Sequence, residues 1–573
     1  MMLRSKKKSL LLMVILMSAC TNTNNSESEI NNNSSEESSS SFIDSDKQNP
    51  IYDGSDVLVS KIVTNDYGSH IQVNNEDFLY IGSQIRVDAF MNCDKFSYDQ
   101  IEMLFQEAKK LNVNCVQIPI EWSKMELDED KFDYTYLHTM MSFANKYDLK
   151  IEFLWFGTNM CGDTHSFTVP NYILKDGKTY PKFDALRTGE YWNYYGIMWF
   201  LDFDNENLIK RETNAVSKMM DYIYEYDSTH GAKKPVIGIQ VLNEPDIFVR
   251  WRSVDKNVLS RVTNERISEE EGYNKICNSL NAIGKTIKSS KYKVYTRVNF
   301  ATSTASDSLH LGNGIYNGNE VKDAPYFVKK IQELEGIDIV GDDAYTSSVK
   351  NIKGISSMFA TKMNSNFSHI AENDGNYANT ASLILASISQ HGGYSIYDLI
   401  TSPFFASNNS ANIDQGIMQF TDNTYTSFKY KNHYEETSSI IKGLKEVYHL
   451  VYNVNNTNFA CFNIKNDYAS KEASQVINTE NVAINFNTKT GAIGFALDSG
   501  THLDVYFTND VTISIENANI KGIASGSYTN KEFIKIEDIS ISNAISLKKN
   551  TLYRIDFESL GKLTSTTWDN IGG

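Results

Sequence analysis

The 573-residue chain is acidic, with a formal net charge of −17, and 12% of its residues are aromatic. That length allows a large domain plus a smaller one, and the aromatic content fits a chain that folds over most of its length. Outside the extreme N-terminus no Lys/Arg-rich stretch exists, which excludes nucleic-acid binding built on phosphate neutralisation.

The chain begins with a basic segment, Arg4 and Lys6 to Lys8, followed by an apolar run from Leu10 to Met17 that closes on Met17-Ser18-Ala19-Cys20. The run is too short for a bilayer span, which needs roughly 20 apolar residues, so residues 1–19 read as an export signal. The small residues before Cys20 resemble the lipobox of bacterial lipoproteins. That resemblance implies lipidation of the Cys20 thiol and an exported protein anchored to the bacterial cell membrane or cell surface. Cleavage there removes four positive charges and no negative ones, taking −17 to −21. Residues 20–50 are mostly Asn, Ser, Thr and Glu and cannot bury enough apolar surface to offset chain entropy, so a disordered tether is expected. The remaining cysteines, Cys93, Cys115, Cys161, Cys277 and Cys461, are odd in number and widely spaced. This argues against a disulfide framework or a zinc site.

From residue 51 to 450, short apolar runs alternate with helical stretches. The predicted strands are Phe78 to Ser83, Cys115 to Ile120, Ile151 to Phe156, Val236 to Leu242, Lys293 to Val298, Ile337 to Val340, Phe367 to Ala371 and Tyr394 to Ile396. They are rich in Val, Ile and Phe and mostly lack alternation, as strands buried on both faces do. Helical spacing appears in Ile101, Leu104, Phe105, Ala108 and Leu111, in Leu137, Met140, Met141 and Ala144, and in Ile276, Leu280, Ile283 and Ile287. Eight strands separated largely by helices predict a (β/α)8 barrel, although a doubly wound sheet shares the alternation. After a predicted helix at Glu435 to Leu450 the texture changes. Val511, Ile513 and Ile515 alternate with polar residues, as do Tyr553, Ile555 and Phe557. Residues 451–562 therefore predict an antiparallel β-sandwich, with 563–573 as a tail.

In a parallel barrel, chemistry collects at the C-terminal ends of the strands. The fourth predicted strand ends on Asn243-Glu244-Pro245 and the seventh on Glu372. Two carboxylates at such positions suit acetal cleavage. One protonates the leaving oxygen, the other acts from the opposite side, and an adjacent amide bonds a sugar hydroxyl. Asp342 and Asp343 after the sixth strand compete with Glu372 for the second role. Trp155, Trp122 and Tyr345 are candidates for flat apolar platforms under a sugar, with core packing as the alternative for each. Asn159 and Glu121 are candidates for binding hydroxyls. Arg86 is a candidate for contacting substrate or orienting a carboxylate, with a structural ion pair as its alternative. No metal cluster or nucleotide loop is apparent, and no cofactor is expected.

An Asn-Glu pair after strand four with a Glu after strand seven resembles the clan A glycoside hydrolases. Finer features over roughly residues 75–400 resemble β-galactosidases of families 35 and 42. These are Val116-Gln117-Ile118-Pro119-Ile120-Glu121-Trp122 with Glu126 and Lys131-Phe132-Asp133-Tyr134, then Phe153-Leu154-Trp155-Phe156-Gly157-Thr158, and Tyr394-Ser395-Ile396-Tyr397. The resemblance implies a retaining double displacement on an oligosaccharide or polysaccharide, with Glu244 as acid/base, Glu372 as nucleophile and Asn243 on the 2-hydroxyl. The chain departs from the pattern in two places. Glu372-Asn373-Asp374-Gly375 lacks the usual glycine-rich, aromatic surroundings, and no Trp follows the eighth strand. Three readings follow: a β-galactosidase-like exo-enzyme, an endo-acting glucanase or mannanase on the same barrel, and a non-catalytic carbohydrate-binding lipoprotein. The anchor is testable by itself. Cys20→Ser is expected to abolish incorporation of labelled palmitate and to shift the protein from the membrane to the soluble fraction.

Overall fold

The computed structural model describes residues 46–158, 168–187, 190–191, 199–245, 257–260, 266–300, 326–359, 367–408, 414–465 and 471–563. Asn159, Cys161 and Cys20 lie outside these, as do the signal and residues 564–573 of the tail. Eight parallel strands, β1 (Ile81–Gln84), β2 (Cys115–Glu121), β3 (Lys150–Phe156), β4 (Val236–Val241), β5 (Tyr295–Phe300), β6 (Ile339–Asp343), β7 (His369–Asp374) and β8 (Gly393–Tyr397), close into a barrel in chain order. The longer helices between them are α1 (Tyr98–Lys110), α2 (Thr135–Tyr147), α3 (Glu206–Thr229), α4 (Glu269–Ser289), α5 (Tyr326–Gln332), α6 (Val349–Phe359) and α7 (Thr380–Ile388), with α8 (Tyr434–Glu446) after β8. The (β/α)8 expectation holds, and closure excludes the doubly wound sheet.

Local chemistry explains the elements. Ser97 and Gln100 form a reciprocal capping box that starts α1, and its buried residues include Ile101, Leu104, Phe105 and Ala108, the stripe expected from their spacing. Pro119 sits inside β2 without cost. Pairing with β1 stops at Gln117, so the missing N–H deprives no neighbour of a bond on that side. A three-stranded antiparallel sheet at 60–78 lies where the barrel strands begin, with Ser60 Oγ donating to the carbonyl of Ile237 and accepting from the N–H of Tyr295. The segments after β3 and β4 share a second antiparallel sheet on the mouth side, in which Lys182–Arg187 pairs with Asn257–Ser260.

The C-terminal strands are β9 (Phe459–Ile464), β10 (Ala473–Asn478), β11 (Ala483–Thr488), β12 (Ala492–Asp498), β13 (His502–Phe507), β14 (Val511–Glu516), β15 (Ala518–Thr529), β16 (Glu532–Asp538), β17 (Ile545–Leu547) and β18 (Leu552–Ser559). They form antiparallel sheets ordered β9-β12-β13-β18-β15-β16 and β10-β11-β14-β17. Phe462 of the first sheet stacks on Phe486 of the second at 4.0 Å, within a core that also holds Val505, Ile513, Ile545 and Ile555. This is the expected β-sandwich. Its larger sheet is apolar on both faces. Phe459, Cys461, Phe495 and Tyr506 join the barrel's core instead, where Asn463 bonds Ser382 of α7 at 3.0 Å and the Tyr506 ring lies against Gly443 of α8.

The barrel interior is polar near its floor. Arg297 of β5 donates to both oxygens of Glu152 on β3, each at 2.8 Å. These strands flank β4 without pairing to each other, so the bond crosses the lumen. Tyr80 and Gln117 complete the carboxylate at 2.8 and 3.0 Å. Burial works against the charge on Glu152, but Arg297 outweighs it and sets the carboxyl at about 2. Burial and the same guanidinium push the neighbouring His369 down to about 3, so it is neutral. Glu152→Gln leaves Arg297 buried and uncompensated, and is expected to cost about 3–5 kcal/mol of stability. Because the folded-state pKa is depressed from 4.5, the wild-type advantage should be complete above that value and fade as pH falls towards 2. Urea titrations of both proteins across that range check this.

Candidate active site

At the mouth, β4 turns sharply. Leu242 and Glu244 adopt φ of +61° and +40°, and Tyr345, after β6, adopts +40°. Non-glycine residues in this region cost of order 1–3 kcal/mol each and persist where the surroundings dictate them. Here the surroundings are centred on Asn299, the penultimate residue of β5. Its Nδ2 donates to Asn243 Oδ1 at 3.0 Å and to Asp343 Oδ2 at 2.7 Å, while its Oδ1 accepts the N–H of Glu244 at 3.1 Å. Asn243 Oδ1 also accepts from Gln240 at 2.8 Å. With both bonds on its oxygen, the Asn243 amide is held in one orientation.

Glu372 arrives by a register shift. β7 carries one residue more than each neighbour: Asp342 and Asp343 pair with Ile370 and Glu372, and Ile370 to Asn373 spans only Tyr394 to Ile396 on β8. Such a bulge re-aims a side chain beside a site. Tyr345 then donates its hydroxyl to Glu372 Oε2. Asn373 fixes the other side through Thr346 N at 2.8 Å and the Tyr394 hydroxyl at 2.9 Å.

The carboxyl groups cannot all be charged. Burial raises Asp343 well above the usual carboxylate range, and repulsion from Glu372, Glu244 and Asp342 raises it further. Burial also raises Glu372, but the Tyr345 hydroxyl, Arg86 and Arg297 pull it back. The proton of this pair therefore rests on Asp343, leaving Glu372 the anion.

Of the remaining sequence-predicted residues, Arg86 forms a bidentate pair with Asp88 at 2.9 and 2.6 Å and lies over the rings of Phe156 and Phe405. It reaches Glu372 through its field. Glu121 accepts from Asn92 at 3.0 Å and lines a cavity of about 270 Å³ beside the end of β2. The two tryptophans are corrected from platform to packing. Alternation along β3 sends Trp155 outward to α3, where its indole N–H meets Glu212 at 2.8 Å, and Trp122 donates to Glu126 at 2.7 Å. Both rings are fully buried. Tyr345 is brought to Glu372 instead, edge-on to Tyr397 at 5.8 Å.

Asn299 was not singled out from sequence, although the rule that selected Glu244 and Glu372, a polar residue at a strand's C-terminal end, applies equally to it. Glu152 and Arg297 were also passed over. Their signal was a charge inside an apolar strand, which a buried strand carries only if it is paired.

Residues 275–469, from within α4 to the segment after β9, match the model of a domain of unknown function, DUF4978. No curated protein matches. Among solved structures, the chain is similar to an exo-β-1,4-mannosidase from Opitutaceae bacterium strain TAV5, with 11% identity, a TM-score of 0.42, and 67% of this chain and 63% of that chain covered. It thus spans under two thirds of that protein's length. It is also similar to a family 39 glycoside hydrolase from Bacteroides cellulosilyticus WH2, with 10% identity, a TM-score of 0.42, and 87% and 88% covered. For an endo-1,4-β-mannanase from Rhizomucor miehei the values are 13%, 0.41, 66% and 99%. The barrel itself is established by its own strand pairing.

Asn299→Ala removes the partner of an N–H, an amide and a carboxyl at once. It is expected to lower stability by about 1–3 kcal/mol, read from the urea midpoint at constant slope.

Proposed function

We propose that the protein is a retaining glycoside hydrolase of clan A, exported and anchored through Cys20, that cleaves β-glycosidic bonds of an oligosaccharide or polysaccharide. The observation that carries this reading is the pairing of Glu244, after β4, with a Tyr345-bonded Glu372 on β7, both at the barrel mouth. In the first step Glu372 attacks the anomeric carbon as Glu244 passes its proton to the leaving oxygen. In the second, Glu244 takes a proton from water, which displaces the enzyme carboxylate from the sugar. Asn243, its oxygen occupied twice, offers its NH2 to the 2-hydroxyl. Tyr345 holds one oxygen of Glu372, and the proton on Asp343 spares Glu372 a second charge beside it.

The finer reading, a β-galactosidase-like exo-enzyme, is supported by the sequence resemblance at 116–134 and 394–397. Trp122 and Trp155 support it less, because both are engaged in packing.

Aryl β-glycosides tested on the wild type, Glu244→Gln and Glu372→Gln decide the matter. Hydrolysis of at least one is expected, with the galactoside preferred and both variants slowed by about 10²–10⁴-fold. Azide should rescue Glu372→Gly with an inverted glycosyl azide. A glucoside or mannoside preference would replace the sugar and leave the mechanism. Tight oligosaccharide binding with no hydrolysis by the wild type would make the protein a binding lipoprotein and sink the catalytic reading.

A further inference from the structure

A cavity of about 480 Å³ lies between the barrel and the sandwich, at the opposite end from the mouth. Asn112, in the turn that enters β2, marks that end. Lys442 and Lys445 reach the cavity from α8, and Lys531 reaches it from the turn between β15 and β16. Asn530 and Lys531 both have positive φ, +50° and +67°, between the paired residues Thr529 and Glu532. A two-residue turn of this kind is rigid and fixes where Lys531 emerges.

Three lysines face one glutamate, Glu446, among the lining residues. Lys531 pairs with Glu76, and Lys445 donates to the carbonyl of Asn112 at 3.2 Å. Lys442 has no ion-pair partner among the described residues. Between the lysines stands His449, only 7% exposed, with its ring at 4.3 Å from that of Tyr528. Neither of its ring nitrogens has a hydrogen-bond partner among the described residues. A buried imidazole normally finds one, and the space in front of this one is far larger than the roughly 30 Å³ that a water occupies.

We propose that this cavity binds a small oxyanion, free or carried on a sugar as its carboxylate or phosphate, between the three lysines and His449. Lining residues come from both the barrel and the sandwich, so the ligand bridges the two units and its binding stabilises their union. The site is separate from the barrel mouth and does not depend on the reaction proposed there.

The test is isothermal titration and thermal unfolding of the full chain with inorganic phosphate, glucuronate, glucose, and sodium chloride at matched ionic strength. Saturable binding of phosphate or glucuronate with a raised Tm is expected, without either effect from glucose or chloride. Phosphate alone would identify a free ion, whereas tighter glucuronate would identify a sugar-borne one. Lys442→Gln and Lys531→Gln change exposed side chains, and His449→Phe keeps the ring's shape. Each should weaken binding at least tenfold while leaving the ligand-free Tm near that of the wild type. No saturable binding, equal stabilisation by chloride, or binding untouched by all three substitutions would overturn the proposal.

Discussion

Arg297 places a full positive charge in the lumen of the barrel, 1% exposed, and much of the interior is arranged around it. An isolated buried charge costs several kcal/mol, so such a group survives only with its partner in place. Glu152 supplies the partner, Tyr80 and Gln117 supply the partner's remaining bonds, and His369 is left neutral beside them. Most barrels fill this layer with branched aliphatic residues. Here the floor is electrostatic, and its field reaches the mouth, where the same guanidinium favours the ionised form of Asp343 and Glu372.

Above that floor, position and protonation are set by the same few contacts. Asn299 bonds the residues that end β4 and the carboxyl that ends β6, so backbone strain at Glu244 and the placement of Asp343 are two consequences of one side chain. Tyr345 and the bulge in β7 do the equivalent for Glu372. The two sides of the mouth meet through Asp343, which hydrogen-bonds one side and, by holding the proton, keeps a second charge away from the other.

Much of this could be read in the sequence. The eight strands were legible because strands covered by helices are continuous apolar runs, and the helix stripes of α1 and α2 because their spacing is regular. The placement of Glu244 and Glu372 at the barrel mouth was legible because the C-terminal ends of barrel strands have a fixed address. Side-chain direction was not. Whether Trp155 or Phe156 faces the lumen turns on a single residue of strand phase, and an apolar run with no alternation does not reveal its phase. The bulge at Glu372 was hidden for the same reason, since an extra residue in a buried strand leaves no mark on composition. α3 was legible in principle, since Leu208, Ala215, Val216, Met219, Met220, Ile223 and Tyr226 form a buried stripe at helical spacing. Only the contact of its buried Glu212 with Trp155 leaves no mark on periodicity.

The docking of the sandwich has a consequence for how such chains are inherited and recombined. α7 is buried along its whole length, with β8 on one side and β9 and β12 on the other. A barrel helix normally keeps a wet face. This one has none, so a barrel cut loose from its sandwich would present a bare apolar helix directly after the strand that carries Glu372. The family match runs across that seam, from α4 past β9, rather than stopping at it. The match takes in the second half of the barrel and the first strand of the sandwich. A different C-terminal module could take the sandwich's place only if it covered the same face of α7, or if α7 changed with it.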